Sequence, residues 1–93
     1  MALAHSDITA RLANLSGWHL RGNEIEKSFV LKDFIDGLSF VTRVGFVAER
    51  LGHHPDITLA YNRVTLRLST HDAGGLTEAD FTVAAAVDAL SLQ

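Results

Sequence analysis

The segment Glu49–Asp56, which reads ERLGHHPD, is predicted to end a helix and to lead into a strand. Gly52 favours a helix end because glycine readily adopts the left-handed conformation of helix C-caps, and the only proline of the chain follows it closely. The adjacent His53 and His54 therefore lie just beyond the helix. A third histidine, His71, falls where a later strand meets a glycine-containing loop. These placements predict that the fold brings two short segments together into one site.

The residues before this segment predict the longest helix of the chain. Asp33 can cap its first turn, with Asp36 at the spacing of a capping box, and the helix should run to about Leu51. Its apolar residues spread over about half of the circumference, as on a helix that covers a sheet. The predicted inner face consists of Phe34, Leu38, Val41, Val44, Val47, Ala48 and Leu51.

Two large apolar side chains of this helix, Ile35 and Phe46, lie outside the predicted inner face. They fall almost one above the other on the otherwise polar side, which indicates a second contact surface. The alternative is two isolated exposed residues.

Two hairpins flank the long helix. Trp18–Arg21 and Glu24–Leu31 alternate apolar and polar residues, and Gly22-Asn23 between them is typical of a tight turn. Asp56–Tyr61 and Arg63–Thr70 predict a second pair of strands. Both pairs should be antiparallel because their connections are short.

Shorter helices are predicted at both ends of the chain. Ser6 can cap the first, which should stop at Gly17, and Thr77 with Asp80 forms a capping-box pattern for the last. The predicted fold class is therefore α+β, in the order α-β-β-α-β-β-α. A four-stranded antiparallel sheet should carry the three helices packed on one face.

Composition limits the class of protein. The 93 residues are 47% hydrophobic, which is sufficient for one domain over residues 1–93. A net charge of −3 without a basic cluster argues against nucleic acid as a partner. No apolar run approaches the roughly 20 residues that span a bilayer, so no membrane partner is predicted. With no cysteine and no secretory signal, we expect a cytoplasmic protein.

The histidines predict proton-transfer chemistry, since imidazole exchanges protons near neutral pH. Glu49, four residues before His53, is placed to hold an imidazole tautomer or to take part in that chemistry. Two alternatives stay open at this point. The rings of His53 and His54 could simply bond free carbonyls at the helix end, or three histidines and a carboxylate could hold zinc. No H-E-x-x-H spacing or other metal signature is present, so no metal is predicted, and Asp80 is interpreted chiefly as a capping residue.

A longer pattern around the histidines resembles that of the pterin-4a-carbinolamine dehydratases. The family pattern runs from an acidic residue through His-His-Pro to an aromatic residue, a histidine and an aspartate. Here it falls on Glu49, His53, His54, Pro55, Tyr61, His71 and Asp80. The similarity covers nearly everything after the first helix.

The resemblance implies dehydration of a 4a-hydroxytetrahydropterin to a quinonoid dihydropterin, without a cofactor, by a homodimer or homotetramer. It implies that His53, His54 and His71 line the pterin site. Further residues beside the ring would be Ser69, Thr70 and Asp72.

This chain departs from many relatives in having Gly52 where they have an acidic residue, so any role of that carboxylate is lost or falls to Glu49. Some relatives act instead as dimerisation partners of a transcription factor. The alternative function is therefore a non-catalytic pterin-binding or regulatory module.

Overall fold

Secondary structure in the computed structural model is described for residues 1–90. The elements are α1 (His5–Leu12), β1 (His19–Arg21), β2 (Glu24–Val30), α2 (Phe34–Leu51), β3 (Asp56–Ala60), β4 (Arg63–Leu68), a short 3-10 turn (His71–Ala73) and α3 (Glu78–Asp88). This order confirms the α-β-β-α-β-β-α prediction. Most predicted strand ends are within two residues of those observed.

The four strands form one antiparallel sheet in the order β1-β2-β4-β3. On the face that carries the helices, Ile25 lies opposite Leu68 and Phe29 lies opposite Val64. These four side chains are buried, as strict alternation along β2 and β4 requires. Helices α2 and α3 add their own buried residues to the same core, which confirms the α+β prediction.

Lys27 is the one charged residue on the inner face of β2, and its ammonium is fully engaged at the margin of the core. Its Nζ donates to Asp88 Oδ1 over 2.8 Å and to the Ser16 carbonyl over 2.7 Å, and it lies 4.8 Å from the centre of the Phe29 ring. Asp88 Oδ2 also accepts from Trp18 Nε1 over 3.0 Å. This network joins the start of β1, the middle of β2 and the end of α3.

The predicted inner face of α2 was wrong at three positions. Phe34, Leu38 and Leu51 are 45%, 45% and 38% exposed. Phe34 and Leu38 lie at one edge of the predicted arc, turned away from the sheet, and Leu51 is in the last turn of the helix. The residues that α2 buries are Gly37, Phe40, Val44, Val47 and Ala48.

The predicted cap of α1 was also wrong. The helix begins at His5, so Ser6 lies inside it, and Ala4 occupies the N-cap without a side-chain hydrogen bond. The Leu3 amide donates to the Leu76 carbonyl over 2.7 Å, which fixes the chain against the segment before α3 immediately ahead of the helix. Local spacing does not reveal this long-range contact. Within residues 1–90, no helix combines the length and apolar character needed to cross a membrane.

Candidate active site

The turn that ends α2 points the two histidines that follow it in different directions. Gly52 adopts a left-handed conformation with φ of 68°, and the His53 amide donates to the Ala48 carbonyl over 3.2 Å. After this turn the His53 side chain is 18% exposed, whereas that of His54 is 61% exposed. The helix end therefore places one imidazole inward and the other toward solvent.

Asp80 holds the inward imidazole. Its Oδ1 lies 2.6 Å from His53 Nε2, while its Oδ2 accepts from the Thr77 amide over 2.9 Å and from Thr70 Oγ1 over 2.8 Å. The residue is completely buried. One carboxylate thus caps α3 and fixes the orientation of a ring from the end of α2.

His71 comes from a separate segment, as the first residue of the short turn after β4. The preceding residue, Thr70, forms a backbone bridge with Gly75 and bonds Asp80 through its hydroxyl. The turn closes at Gly74, whose φ is 73°. These contacts tie the exit of β4 to the start of α3 and hold His71 next to the end of α2.

The structure brings most of the predicted site residues together around one open cleft of about 280 Å³. The cleft is lined by Gly52, His53, His54, Ser69, Thr70, His71 and Asp72. Glu49 is absent from this lining and mostly exposed, but its Oε1 lies 2.8 Å from His54 Nε2. It is therefore placed to orient His54 from outside the cleft.

A second pocket of about 350 Å³ continues from the first. The two share Ser69, Thr70 and His71. The remaining lining of the second pocket comes from the β1–β2 hairpin and the loop before α3: Arg21, Asn23, Glu24, Gly74 and Gly75.

The described residues do not form a recognisable metal site. Within residues 1–90, no group of three or more His, Cys, Asp or Glu side chains is arranged to hold a metal ion. The geometry of the three imidazoles therefore gives no support to the zinc alternative.

The pairing of Asp80 with His53 was missed by spacing arguments. The capping box predicted for Thr77 and Asp80 is present, and it appeared sufficient to explain the aspartate. The available signal was the longer pattern, which includes Asp80 at a set distance from the histidines.

Comparison with known proteins identifies the family. The sequence model described as pterin 4 alpha carbinolamine dehydratase matches residues 1–90. The chain belongs to the pterin-4a-carbinolamine dehydratase family. This confirms the resemblance on which the site residues were chosen.

Bacterial members of the pterin-4a-carbinolamine dehydratase family match nearly the whole chain. A protein of Chloroflexus aurantiacus, provisionally named as such a dehydratase, is 54% identical over 86 residues, which is 92% of each chain. A protein of Thermosynechococcus vestitus with the same provisional name is 44% identical over 90 residues, or 97% of this chain and 95% of that one.

Solved structures give the same fold. A crystal structure from Brucella melitensis, described as a transcriptional coactivator/pterin dehydratase, has a TM-score of 0.90 at 37% identity and covers 96% of this chain and 97% of that one. A pterin dehydratase-like protein described as a RuBisCO assembly factor in the alpha-carboxysome has a TM-score of 0.62 at 25% identity, over 77% and 83% of the two chains.

Proposed function

We propose that the protein catalyses dehydration of a 4a-hydroxytetrahydropterin to the quinonoid dihydropterin. In this reaction the bond between carbon 4a and the hydroxyl oxygen breaks, and a double bond forms between carbon 4a and ring nitrogen 5. The leaving hydroxyl takes up one proton and nitrogen 5 loses one. The step is redox-neutral, so proton donors and acceptors at fixed positions are the apparatus it needs.

The observation that carries this proposal is the convergence of His53, His54 and His71 on one cleft. Imidazole titrates near neutral pH, so one ring can donate while another accepts. The contact of His53 with the buried carboxylate of Asp80 supports its role, because that contact restrains the ring in one orientation. His53 and His71 are the proposed acid–base pair.

The other cleft residues are proposed to bind the ring or to assist. Ser69 and Asp72 supply a hydroxyl and a carboxylate for the polar edge of a pterin, and Thr70, whose hydroxyl bonds Asp80 and Thr77, forms part of the wall beside the ring. His54 assists from the open side, with Glu49 as its partner. Glu49 would then supply the polarising carboxylate that many relatives have immediately before the histidine pair.

Gly52, at that position in this chain, has a local reason to be glycine. Its left-handed backbone is strained for other residues. In this proposal Gly52 ends the helix and Glu49 supplies the negative charge.

The proposal is tested by stopped-flow measurement of the dehydration of a freshly generated 4a-hydroxytetrahydropterin. The wild-type protein should accelerate the loss of water, and His71→Ala should lose most of that rate. His71 is exposed, so the variant should keep its far-UV circular dichroism. His19→Ala, on the exposed β1 strand and outside the cleft lining, is the matched control and should leave the rate unchanged. Full activity in folded His71→Ala would contradict the proposed pair.

A second candidate is a pterin-binding or regulatory module without turnover. It is supported by the two similar structures described as a transcriptional coactivator/pterin dehydratase and as an assembly factor. Calorimetric titration with a dihydropterin separates the candidates when combined with the rate assay. Binding without acceleration of dehydration would favour the module.

A further inference from the structure

Thr70 lies in the wall of the cleft that the three histidines line, but its hydroxyl is already bonded within the protein. Thr70 Oγ1 lies 2.8 Å from Asp80 Oδ2 and 2.8 Å from Thr77 Oγ1. A hydroxyl has one hydrogen to donate, and an ionised carboxylate can only accept. The Thr70 hydrogen is therefore directed at Asp80, and none is left for a ligand in the cleft.

The direction of the neighbouring hydrogen bonds follows from the same argument. The Asp80 amide donates to the Thr77 hydroxyl in the capping box that begins α3. Because the Thr70 hydrogen points to Asp80, the Thr77 hydroxyl must donate to Thr70. Asp80 Oδ2 also accepts from the Thr77 amide over 2.9 Å, so it has two donors. The bond from Thr70 to Asp80 does not depend on the Thr77 side chain, which acts one bond further away.

This arrangement determines which nitrogen of His53 carries the hydrogen. Oδ1 of Asp80, like Oδ2, can only accept, so His53 Nε2, at 2.6 Å, is the donor. In the neutral imidazole the other nitrogen, Nδ1, then has a free lone pair. No described residue bonds Nδ1, and no buried side-chain nitrogen of the described residues lacks a partner, so Nδ1 is accessible to solvent. His53 meets that solvent in the cleft.

We propose that Thr70 is a positioning residue for the dehydration, and that His53 exchanges its proton with the pterin through Nδ1. The Thr70 hydroxyl holds the Asp80 carboxylate in the orientation that keeps the other hydrogen of His53 on Nε2. Without this hydroxyl, Oδ2 keeps only the bond from the Thr77 amide, and the carboxylate is free to turn away from His53. The inference rests on the proposed dehydratase activity and adds a residue and a reacting atom to it.

The assignment of the two nitrogens is tested in the wild type by heteronuclear NMR, with the histidine ring nitrogens labelled. Correlations to the carbon-bound ring hydrogens distinguish a protonated from an unprotonated nitrogen, and the His53 signals are those absent from His53→Ala. Above the pH range in which imidazole titrates, Nε2 should be protonated and Nδ1 unprotonated. A hydrogen on Nδ1 instead would overturn the inference. This measurement decides the assignment even where a variant fails to fold.

Variants at position 70 test the role of the hydroxyl. Thr70→Val removes the hydroxyl with little change of shape, whereas Thr70→Ser keeps it. Thr65→Val is the matched control: it removes a hydroxyl that bonds Ser28 over 2.9 Å in the middle of β4, outside the lining of the cleft and of the pocket beside it. Circular dichroism and thermal unfolding establish that each variant is folded.

Thr70→Val should lower kcat about tenfold, as expected for the loss of one hydrogen bond to a charged group, with KM unchanged. Its affinity for an unreactive dihydropterin, measured by fluorescence quenching, should also be unchanged, because the hydroxyl has no hydrogen for the ring. Its NMR spectrum should show part of the His53 population with the hydrogen on Nδ1. Thr70→Ser should restore the wild-type tautomer and most of the rate, and Thr65→Val should change neither.

The outcomes separate this inference from the proposed function. Wild-type kcat and an unchanged tautomer in folded Thr70→Val would overturn the positioning role and leave the dehydratase intact. A raised KM and weaker dihydropterin binding, with the tautomer unchanged, would make Thr70 a ligand-binding residue and also overturn the inference. A His53 tautomer that depends on the Thr70 hydroxyl, in a protein that turns over no substrate, would uphold the positioning of His53 and reject the dehydratase.

Discussion

At the scale of single residues, the carboxylate of Asp80 links helix stability to the orientation of an imidazole. Both of its oxygens are in use, one by His53 and the other by Thr70 and Thr77, and the side chain has no contact with solvent. A carboxylate restrained in this way cannot rotate without breaking a buried hydrogen bond. The direction of the His53 ring is therefore set by the same group that caps α3.

Asp80→Asn should reduce both stability and turnover. The amide can still accept from Thr70 and Thr77, but its NH2 group would face His53 and favour the opposite tautomer. We expect the rate to fall about 10²-fold, the scale of one positioned acid or base, and the pH–rate profile to shift. Thermal unfolding and stopped-flow dehydration measure the two effects.

Thr77→Ala is the matched control for Asp80. It removes a capping group but leaves the carboxylate beside His53, so it should cost about 1 kcal/mol of stability with turnover largely retained. If Asp80 were purely structural, Asp80→Asn would behave like this control, with a lower melting temperature and an unchanged rate.

The proposed acid–base pair predicts strong non-additivity. His53→Ala and His71→Ala should each remove most of the dehydration rate, and the double variant should be little slower than the poorer single, because residues that act as a unit do not contribute independently. The wild-type rate should also vary with pH near neutrality. Independent, multiplicative losses in the double variant would contradict a shared transition state.

At the scale of elements, local spacing predicted most boundaries but not the rotation of α2. The Asp33 cap and the Gly52 stop are both present, with Asp33 Oδ1 accepting from the Asp36 amide over 2.9 Å. Capping is a local property, so the sequence is sufficient for it. Which apolar residues face the sheet depends instead on long-range packing. Gly37 is buried near Leu59 and the Tyr61 carbonyl, so the side of α2 that carries Gly37 faces β3.

The site was predictable to a similar degree. The histidines and Ser69, Thr70 and Asp72 could be named from motif and resemblance, and they line one cleft. Arg21 and Glu24 could not, because their proximity to His71 depends on the pairing of β2 with β4. Register across a sheet is a long-range property that neither hairpin reveals alone.

The two glycines inside α2 provide a matched pair. A Cβ at Gly37 would lie 2.9 Å from Leu59 Cδ1 and 3.3 Å from the Tyr61 carbonyl oxygen, whereas a Cβ at Gly45 would meet nothing within 4 Å. Gly45→Ala should therefore raise stability by up to about 1 kcal/mol through helix propensity. Gly37→Ala should lower it, since the backbone carbonyl cannot easily move. Urea unfolding of both variants measures whether each change raises or lowers the free energy of unfolding. Equal gains in stability would show that α2 can shift away from β3.

Helix α1 buries no residue completely, and its ion pair to α3 should make its attachment sensitive to acid. The Arg11 guanidinium bonds the Glu78 carboxylate and lowers the pKa of Glu78 from its ordinary value. The stabilisation is therefore present above the ordinary carboxyl pKa and is lost as pH falls through the lowered one.

Comparison of the wild type with Glu78→Gln measures this contribution. The variant should be slightly less stable at neutral pH, and the difference should vanish in acid and shrink in 1 M salt, because the pair is exposed and screened. A difference that persists below the carboxyl range would indicate lost packing rather than lost charge.

At the scale of the whole molecule, the described surface retains large apolar side chains on the outer side of α2. Ile35 is 63% exposed and Phe46 is 73% exposed, and eleven residues of helix bring them onto one stripe. Isolated exposed apolar residues are common, but two aligned on one helix form a surface on which a second copy could pack. We therefore propose a homodimer or homotetramer in which α2 contributes to the contact.

Phe46→Asp should lower the assembly state. Burial of Ile35 and Phe46 against a second copy would contribute roughly 3–6 kcal/mol, and a carboxylate at position 46 would be desolvated without a partner. Light scattering at low micromolar concentration should show a smaller mass while far-UV circular dichroism stays similar, since Phe46 lies outside the core. Val30→Asp, at a 62% exposed position on β2, introduces the same charge elsewhere and should leave the mass unchanged. An unchanged mass in Phe46→Asp would remove the outer side of α2 as a contact, whereas a loss in both variants would move the interface toward the sheet.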